Sequence, residues 1–186
     1  DSGWGFGVHN ICLHYLIAYA NDEQKARWLT GLISGEIVPA IAMTEPGTGS
    51  DLQAVRTTAD KDGDDYIING SKIFITNGQQ ADIIIVVAKT DKDAGGKGIS
   101  LIVVETADAE GFARGRNLKK LGMKGQDTSE LFFENVRVPR ANLLGEQEGQ
   151  GFFHLMLQLG WERASIGVAA IASMDAVIEE TVRYVQ

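Results

Sequence analysis

The densest cluster of residues that could do chemistry lies at positions 44–51, which read TEPGTGSD. One proline and two glycines predict a tight turn at the end of a strand, with backbone N–H groups facing a ligand. Thr44, Thr48 and Ser50 add three hydroxyl groups. The Gly-x-Gly is not the dinucleotide fingerprint, because a strand and not a helix is predicted to follow it. Two interpretations stay open: a ligand-binding turn, or an ordinary β-turn rich in hydroxyl groups.

A second candidate is the pair Phe74 and Thr76, which comes directly before the turn dipeptide Asn77-Gly78. Alternate residues of a strand share one face, so the ring and the hydroxyl are predicted to lie side by side. An aromatic ring beside a hydrogen-bonding group could pack on a flat heterocycle and orient it. The alternative is a core phenylalanine with a threonine at the sheet edge.

Glu162 and Arg163 are the only acidic or basic residues between Leu155 and Met174. Adjacent helical positions diverge by about 100°, so the two side chains need not neutralise each other. A carboxylate among apolar side chains is a stronger base than a solvated one, which suits removal of a weakly acidic C–H proton. A structural ion pair with another helix is the alternative. The stretch is long enough for a membrane span, but a charged pair near its middle favours a helix buried in a soluble bundle.

Other catalytic arrangements are not found in the sequence. His9 and His14 do not share a helical face and His154 is distant, so no metal site is predicted. Cys12 has no predicted histidine partner, and the chain holds neither a nucleophile elbow nor a phosphate-binding loop.

Composition excludes further classes of protein. The 186 residues carry 17 basic and 25 acidic side chains, a net charge of −8, and 44% of them are hydrophobic. This is typical of a globular chain with a real core, and it lacks the basic surface of a nucleic-acid binder. A single cysteine cannot form an internal disulfide, so a bacterial cytoplasm or mitochondrial matrix is expected and not secretion. The chain lacks an initial Met and stops within a helical pattern, so we expect an internal piece of a longer protein.

Helices are predicted towards both ends of the chain. His9–Ala20 is a compact and mostly apolar helical stretch. A second helix begins after Asn21, where Gln24 completes a capping box, and ends at Gly35. Gly151–Gln186 repeats apolar residues at helical spacing.

The middle of the chain predicts β structure. Short runs rich in Val, Ile, Thr and Phe occupy Ala54–Ala59, Tyr66–Ile68, Ile73–Thr76, Ile83–Ala88, Ile99–Glu105, Glu130–Phe133 and Val136–Val138. The dipeptides Asp62-Gly63, Asn69-Gly70 and Asn77-Gly78 supply the positive φ angles of tight hairpins. Because the strands are close and no helix separates them, we expect an antiparallel barrel or sandwich, which excludes a Rossmann-type sheet.

The stretch Ala42–Asp51 resembles the signature of the acyl-CoA dehydrogenase family. The agreement continues in family order through Asn69–Lys72, Phe74–Gly78, Leu121–Lys124 and Phe132–Pro139. The resemblance implies an α+β fold in which an antiparallel middle β-barrel is flanked by two helical parts. In this chain residues 1–37 would end the N-terminal helical domain and residues 38–139 would form the barrel. Residues 140–186 would supply a linker and the first helix of the C-terminal helical bundle.

The resemblance also implies a flavoenzyme that oxidises the Cα–Cβ bond of an acyl-CoA thioester. In the family a glutamate takes the α-proton, the β-hydrogen leaves as hydride to N5 of FAD, and electron-transferring flavoprotein then receives the electrons. A homo-oligomer, tetramer or dimer, is expected of the full-length protein, without nucleic acid and without a membrane span. The residues implied to bind FAD are Ile41, Ala42, Met43, Thr44, Gly49, Ser50, Phe74, Ile75 and Thr76. Phe74 stands where many members carry Trp, which keeps the aromatic face but loses the indole N–H.

The position of the catalytic base indicates the subgroup. Most members take the base from a part of the C-terminal domain that would lie beyond residue 186. Long-chain and isovaleryl-type members look to carry it directly before an arginine on the first C-terminal helix, and Glu162-Arg163 matches that position. Glu162 is therefore the predicted base, in a protein of the long-chain type. The implied substrate contacts are Ser50, Gly96, Lys97, Phe153, Gly160, Trp161 and Arg163. Gly160 and Trp161 depart from the expected residues, which leaves the acyl chain length open.

Two alternatives to a dehydrogenase stay open. An acyl-CoA oxidase-like relative would share the flavin segments and pass electrons to oxygen. A non-catalytic acyl-CoA-binding or assembly relative would lack the flavin and the base. Family flavin sites are completed by other parts of the protein, so residues 1–186 alone are expected to be inactive and to bind FAD weakly.

Overall fold

The computed structural model describes residues 4–186. The chain divides into two compact units, Asp1–Phe152 and Phe153–Gln186. The first unit holds two helices and a sheet, and the second consists of most of one long helix. The domain boundaries expected from the sequence stay a prediction.

Two helices open the described part of the chain, α1 (Trp4–Tyr19) and α2 (Asp22–Ser34). The Asn21 side chain accepts the Gln24 N–H at 2.8 Å, and the Gln24 side chain accepts the Asn21 N–H at 3.0 Å. This reciprocal pair is the predicted capping box. Gly35 closes α2 at φ 80°, a left-handed conformation that glycine adopts without strain. The predicted start and end of α2 are therefore confirmed, whereas α1 begins five residues before its predicted start at His9.

Eight strands follow, with one long helix after them. The strands are β1 (Pro39–Ala42), β2 (Thr58–Asp62), β3 (Asp65–Thr76), β4 (Ile83–Lys89), β5 (Ile99–Glu105), β6 (Phe112–Asn117), β7 (Thr128–Pro139) and β8 (Leu143–Leu144). Short 3₁₀ turns occupy Leu52–Ala54, Gly95–Gly98 and Arg140–Asn142. The helix α3 spans Gly151–Val185 without a break.

The sheet is mixed and open, so the predicted antiparallel β-barrel is wrong in two respects. Its order is β6-β7-β3-β2-β4-β5-β8, with β1 beside β4, and within the described residues the two end strands β6 and β8 do not pair. β1 runs parallel to β4, and β2 meets the end of β4 in parallel at Thr58 and Lys89. The hairpin of β2 and β3 lies between β1 and β4 in sequence, so this parallel pair needs no crossover helix. The alternation of hydrophobic residues identifies a strand, but it does not show which distant strand pairs with it.

The three turn dipeptides play different roles. Asp62-Gly63 forms the hairpin between β2 and β3, with Gly63 at φ 61°. Asn69-Gly70 lies inside β3 at an irregularity in its pairing with β7, and a Cβ on Gly70 would come within 2.4 Å of the Thr57 hydroxyl oxygen. Asn77-Gly78 ends β3, but β2 lies between β3 and β4 in the sheet. The hairpin prediction is therefore right for the first dipeptide and wrong for the other two.

The central strands β4 and β5 are mostly apolar and buried, apart from the buried Ser100 and the half-buried last residues Lys89 and Glu105. Continuous apolar runs of this kind are typical of strands covered on both faces. The main core is formed by Ala40, Ala42, Ala59, Tyr66, Ile68, Ile75, Ala81, Ile84, Val86, Ala88, Ile102, Val104, Leu131, Phe133, Val136 and Val138. This core supports the ends of β1 and β3, where the candidate functional residues lie.

The second unit is helical throughout, and its side chains differ in exposure. Leu155 and Glu162 are its buried residues, and they lie two turns apart on one face of α3. Residues 163–185 are helical, and all residues from 163 to 186 are exposed in this chain. Across residues 4–186, no helix combines the length and the apolar character that a membrane crossing would need.

Candidate functional site

The chain turns sharply directly after β1. The Glu45 N–H donates to the Thr48 carbonyl at 2.9 Å, and the Thr48 N–H donates to the Glu45 carbonyl at 3.0 Å. The predicted tight turn is therefore present, with Pro46 and Gly47 at its tip. A Cβ added to Gly47 or Gly49 would meet nothing within 4 Å, so the space beside this backbone is open. A ligand could approach the main chain there without displacing a side chain.

The hydroxyl groups of this region divide into two classes. The Thr48 hydroxyl donates to the Ala54 carbonyl at 3.0 Å, so it serves the loop itself and not a ligand. Within residues 4–186, the hydroxyls of Thr44, Ser50 and Thr76 form no hydrogen bond. Thr44 and Thr76 are half-buried, and Ser50 is exposed. These three groups can therefore bond a ligand without breaking a bond within the described chain.

The two segments singled out in the sequence lie together. The Ile73 N–H donates to the Thr44 carbonyl at 3.0 Å, which joins the segment after β1 to the C-terminal part of β3. On β1 itself, Ile41 is half-buried and Ala42 is fully buried. The geometry thus brings the Thr44 and Thr76 segments to one region of the first unit.

Phe74 adopts an unusual conformation in this region. Its φ is 62°, and the pairing of β3 with β7 shifts register between Lys72 and Ile75. The bulge leaves the Phe74 side chain 62% exposed while Ile75 is buried and Thr76 half-buried. A left-handed aromatic residue is strained, and such strain is concentrated at functional sites. An exposed aromatic face held in a strained bulge is suited to receive a flat ligand.

The strain at position 74 can be measured by comparing two substitutions. Both Phe74→Gly and Phe74→Ala remove the ring, but only glycine adopts φ 62° without a steric penalty. We expect Phe74→Gly to be more stable than Phe74→Ala by about 1 kcal/mol in urea unfolding. Equal stability of the two variants would mean that residue 74 is not left-handed in solution.

A buried ion pair that was not predicted from the sequence lies beneath this region. The Lys72 ammonium is 2.9 Å from a Glu45 carboxylate oxygen, and the two side chains are 0% and 6% exposed. The ammonium also donates to the carbonyls of Met43 at 3.1 Å and Val87 at 2.7 Å. The carboxylate accepts the Arg56 N–H at 2.7 Å, and from Thr57 it accepts the N–H at 2.9 Å and the hydroxyl at 2.6 Å. All three ammonium donors and both carboxylate oxygens are satisfied.

The pKa values of both groups are lowered, which favours the charged form of Glu45 and the neutral form of Lys72. Burial works to raise the pKa of Glu45, but the Lys72 charge and the hydrogen bonds from Thr57, Arg56 and Lys72 outweigh it and lower that pKa below 4.5. Burial lowers the pKa of Lys72 to about 8 against the attraction of Glu45. The pair is therefore ionised at neutral pH.

A weak signal for this pair was present in the sequence. Inward positions of β3 alternate from Tyr66 through Ile68, and Lys72 falls on the same parity. A lysine at an inward position of a strand requires a partner, because an unpaired buried ammonium is very costly. Its partner Glu45 lies 27 residues away, and the sequence does not indicate that distance.

The predicted substrate residues of the first unit lie on two neighbouring loops. The 3₁₀ turn after Ser50 carries Gln53, whose amide oxygen would lie 3.3 Å from a Cβ on Gly96. Gly96 and the exposed Lys97 belong to the 3₁₀ turn before β5. The structure therefore brings the Ser50 segment and the Gly96-Lys97 loop together.

The remaining predicted site residues lie on α3 in the second unit. Glu162 is 9% exposed, whereas its neighbours Trp161 and Arg163 are exposed. The divergence expected of adjacent helical side chains is thus observed for Glu162 and Arg163. Phe153 and Gly160 are exposed as well. Within the described part of the chain, no group of three or more His, Cys, Asp or Glu side chains could hold a metal ion.

Comparisons with known proteins agree across the chain. Residues 40–136 match the family described as acyl-CoA dehydrogenase, middle domain, and residues 1–36 match its N-terminal domain. The mitochondrial long-chain specific acyl-CoA dehydrogenase of Sus scrofa is 49% identical over 100% of this chain, which covers 43% of that protein.

Solved structures also match this chain. The crystal structure of an acyl-CoA dehydrogenase from Geobacillus kaustophilus is 54% identical with a TM-score of 0.86, over 89% of this chain and 44% of that one. The crystal structure of the prolyl acyl carrier protein oxidase AnaB is 37% identical with a TM-score of 0.92, over 97% of this chain and 47% of that one. The chain thus spans less than half the length of these relatives.

Proposed function

Since the chain belongs to the acyl-CoA dehydrogenase family, we propose that the whole protein dehydrogenates acyl-CoA thioesters between Cα and Cβ with the help of FAD. One observation carries this proposal most directly. The hydrogen bond from Ile73 to Thr44 joins two segments that offer an exposed aromatic ring and hydroxyls without partners in residues 4–186. Such a surface suits a flat, polar-edged heterocycle.

The residues present fit a flavin. The open space beside Gly47 and Gly49 lets a ring system approach the main chain, and the exposed Phe74 side chain offers an apolar face. The groups that would hold FAD are Ile41, Ala42, Met43, Thr44, Gly49, Ser50, Phe74, Ile75 and Thr76. Bound FAD would supply the hydride acceptor for the hydrogen leaving Cβ.

Glu162 would act as the base that takes the α-proton. A thioester α-proton is too weakly acidic for a fully hydrated carboxylate, so the base must be kept from bulk water. Glu162 is buried while the helix after it is exposed, and this supports the assignment. Gly160, Trp161 and Arg163 would surround the thioester, and Phe153 would lie beside the acyl chain.

The coenzyme A portion would be held by local groups. With a net charge of −8 the chain as a whole repels a polyanion, so binding must depend on placed cations and dipoles. Ser50 lies on a loop next to the one that carries Gly96 and Lys97, and Lys97 is an exposed cation. We assign these three residues to the coenzyme A end of the substrate.

The family also suggests an arrangement for the whole protein. Residues 1–37 would end an N-terminal helical domain, 38–139 would form the middle domain, and 140–186 would begin a C-terminal helical bundle. We propose a homo-oligomer of the long-chain type that passes its electrons to electron-transferring flavoprotein. The related dehydrogenase of Sus scrofa is mitochondrial, which supports the mitochondrial matrix, and the cytoplasm of a bacterium is the alternative location.

Anaerobic mixing of the full-length protein with acyl-CoA esters of graded length tests this function. We expect the flavin absorbance to bleach, with a preference for long chains, and electron-transferring flavoprotein to restore it. A protein that carries no flavin, or a flavin that no acyl-CoA ester bleaches, would contradict the proposal.

An oxidase is the second candidate, because the AnaB oxidase superposes with a TM-score of 0.92. The oxidase would be favoured if oxygen rapidly reoxidised the bleached flavin and electron-transferring flavoprotein did not. Slow reaction with oxygen would favour the dehydrogenase.

A further inference from the structure

The buried pair of Glu45 and Lys72 connects three separate parts of the first unit. The Lys72 ammonium, which projects from β3, reaches the carbonyl of Met43 after β1, the carboxylate of Glu45 in the turn, and the carbonyl of Val87 on β4. These distances are 3.1, 2.9 and 2.7 Å. One side chain thus fixes the segment after β1 against two strands of the sheet.

Three consecutive residues are held from β3, two through their carbonyls and one through its side chain. Lys72 binds the Met43 carbonyl and the Glu45 side chain, and the next residue, Ile73, binds the Thr44 carbonyl at 3.0 Å. Thr44 therefore has fixed neighbours on both sides. Its hydroxyl is one of those with no partner within residues 4–186.

Fold stability alone does not account for a pair this deeply buried. Taking two charges out of water costs about as much as their attraction returns, and apolar residues of similar volume often serve stability equally well. The neighbouring inward positions of β3, Tyr66 and Ile68, are largely apolar and fully covered. What the ion pair adds, and an apolar pair would not, is a set of directional bonds to the Met43 carbonyl and to the Arg56 and Thr57 main chain.

We propose that Glu45 and Lys72 are positioning residues, which hold the Thr44 segment in register with the Phe74–Thr76 segment so that both contact one flavin. The inference rests on the proposed function, because it takes these two segments as the flavin site. Neither charge contacts the ligand. Each acts through the main chain that it fixes.

The double substitution Glu45→Gln with Lys72→Met separates positioning from stability. Removing both charges leaves no unpaired buried ion, and the main cost is one N–H of Arg56 or Thr57 that faces the amide nitrogen, so the thermal midpoint is expected to fall by only a few degrees. The Met43 carbonyl loses its charged donor, and the apoprotein is expected to bind FAD about tenfold more weakly. Glu130→Gln with Arg116→Met is the matched control, since it removes an ion pair on β6 and β7 whose arginine is exposed. The control is expected to leave FAD affinity unchanged.

The experiment uses the full-length protein, stripped of flavin and titrated with FAD by fluorescence quenching, with thermal unfolding measured in parallel. A weakened FAD affinity at a near-parental midpoint supports positioning. Parental affinity in the double variant overturns it and leaves the pair a structural one.

If the double variant does not fold, Thr57→Val removes only one hydroxyl bond to Glu45, and we expect a two- to threefold loss of affinity, about half a kcal/mol. Unchanged affinity in that variant also overturns the proposal. A parent protein that binds no FAD overturns the proposed function itself, whereas an unaffected variant of a flavin-binding parent overturns this inference alone.

Discussion

Glutamine in place of Glu162 is expected to slow flavin reduction by acyl-CoA by about 10²–10⁴-fold while the full-length protein keeps its flavin and its ligand affinity. The amide has nearly the shape of the carboxyl and fills the same buried position, but it cannot accept the α-proton. Anaerobic stopped-flow absorbance measures the reduction rate, and titration with a non-reducing acyl-CoA analogue measures the affinity. The effect belongs to the chemical step, so it should appear in the rate at saturating substrate.

Glu179→Gln is the matched control for this substitution. Glu179 lies on the same helix, is exposed, and pairs with Arg183 at 2.6 Å. Its substitution is expected to leave the rate unchanged. If Glu162→Gln reduces the flavin at the parent rate, the base lies elsewhere, and the position beyond residue 186 used by most family members becomes the leading candidate. A structural ion pair at Glu162 would give a different result, with a lower thermal midpoint and little change in rate.

The helices were predictable because local interactions determine them. The capping box of Asn21 and Gln24 and the left-handed Gly35 lie within one turn of the helix that they delimit. Most strand runs were predictable for the same reason, since alternation and apolar content are local properties. The run Ala54–Ala59 was placed too early, because β2 begins only at Thr58. The sheet was not, because β1 pairs with β4 across about 40 residues that form another hairpin. The weakly apolar edge strand β6 was also missed, since its sequence FARGRN has little alternation.

The candidate site was predictable as segments but not as an arrangement. The turn at residues 45–48 follows from Pro46 and the glycines, which act locally. The bulge that turns Phe74 outwards depends on the register between β3 and β7, which no short window of sequence contains. For the hydroxyl of Thr48, the sequence left a ligand-binding turn and an ordinary β-turn open, and in the structure it bonds the carbonyl of Ala54 within its own loop. Composition cannot distinguish a hydroxyl that closes a loop from one that faces a ligand.

Lys72→Met is expected to lower the free energy of unfolding by about 3–5 kcal/mol at pH 7, because it leaves the Glu45 carboxylate buried without its counterion. The hydrogen bonds from Arg56 and Thr57 remain, and they offset only part of the lost attraction. Urea unfolding followed by circular dichroism measures the change. Adding Glu45→Gln to Lys72→Met is expected to recover most of the loss, and a double variant as unstable as the single one would contradict the argument.

The dependence of this loss on pH gives an independent test of its cause. In the parent protein the pKa of Glu45 is lowered below 4.5, so its stabilising contribution is present above pH 4.5 and is lost as the pH falls through the folded-state value. In Lys72→Met the desolvation remains and the counterion is gone, so the pKa of Glu45 is expected to rise above its unfolded value. Protonation of Glu45 then removes the unpaired buried charge of the variant at a pH where Glu45 of the parent protein is still fully ionised. The stability difference between the two proteins should therefore be greatest at neutral pH and shrink towards pH 4. A difference that stays constant over this range would assign the loss to packing of the lysine stem and not to the unpaired carboxylate.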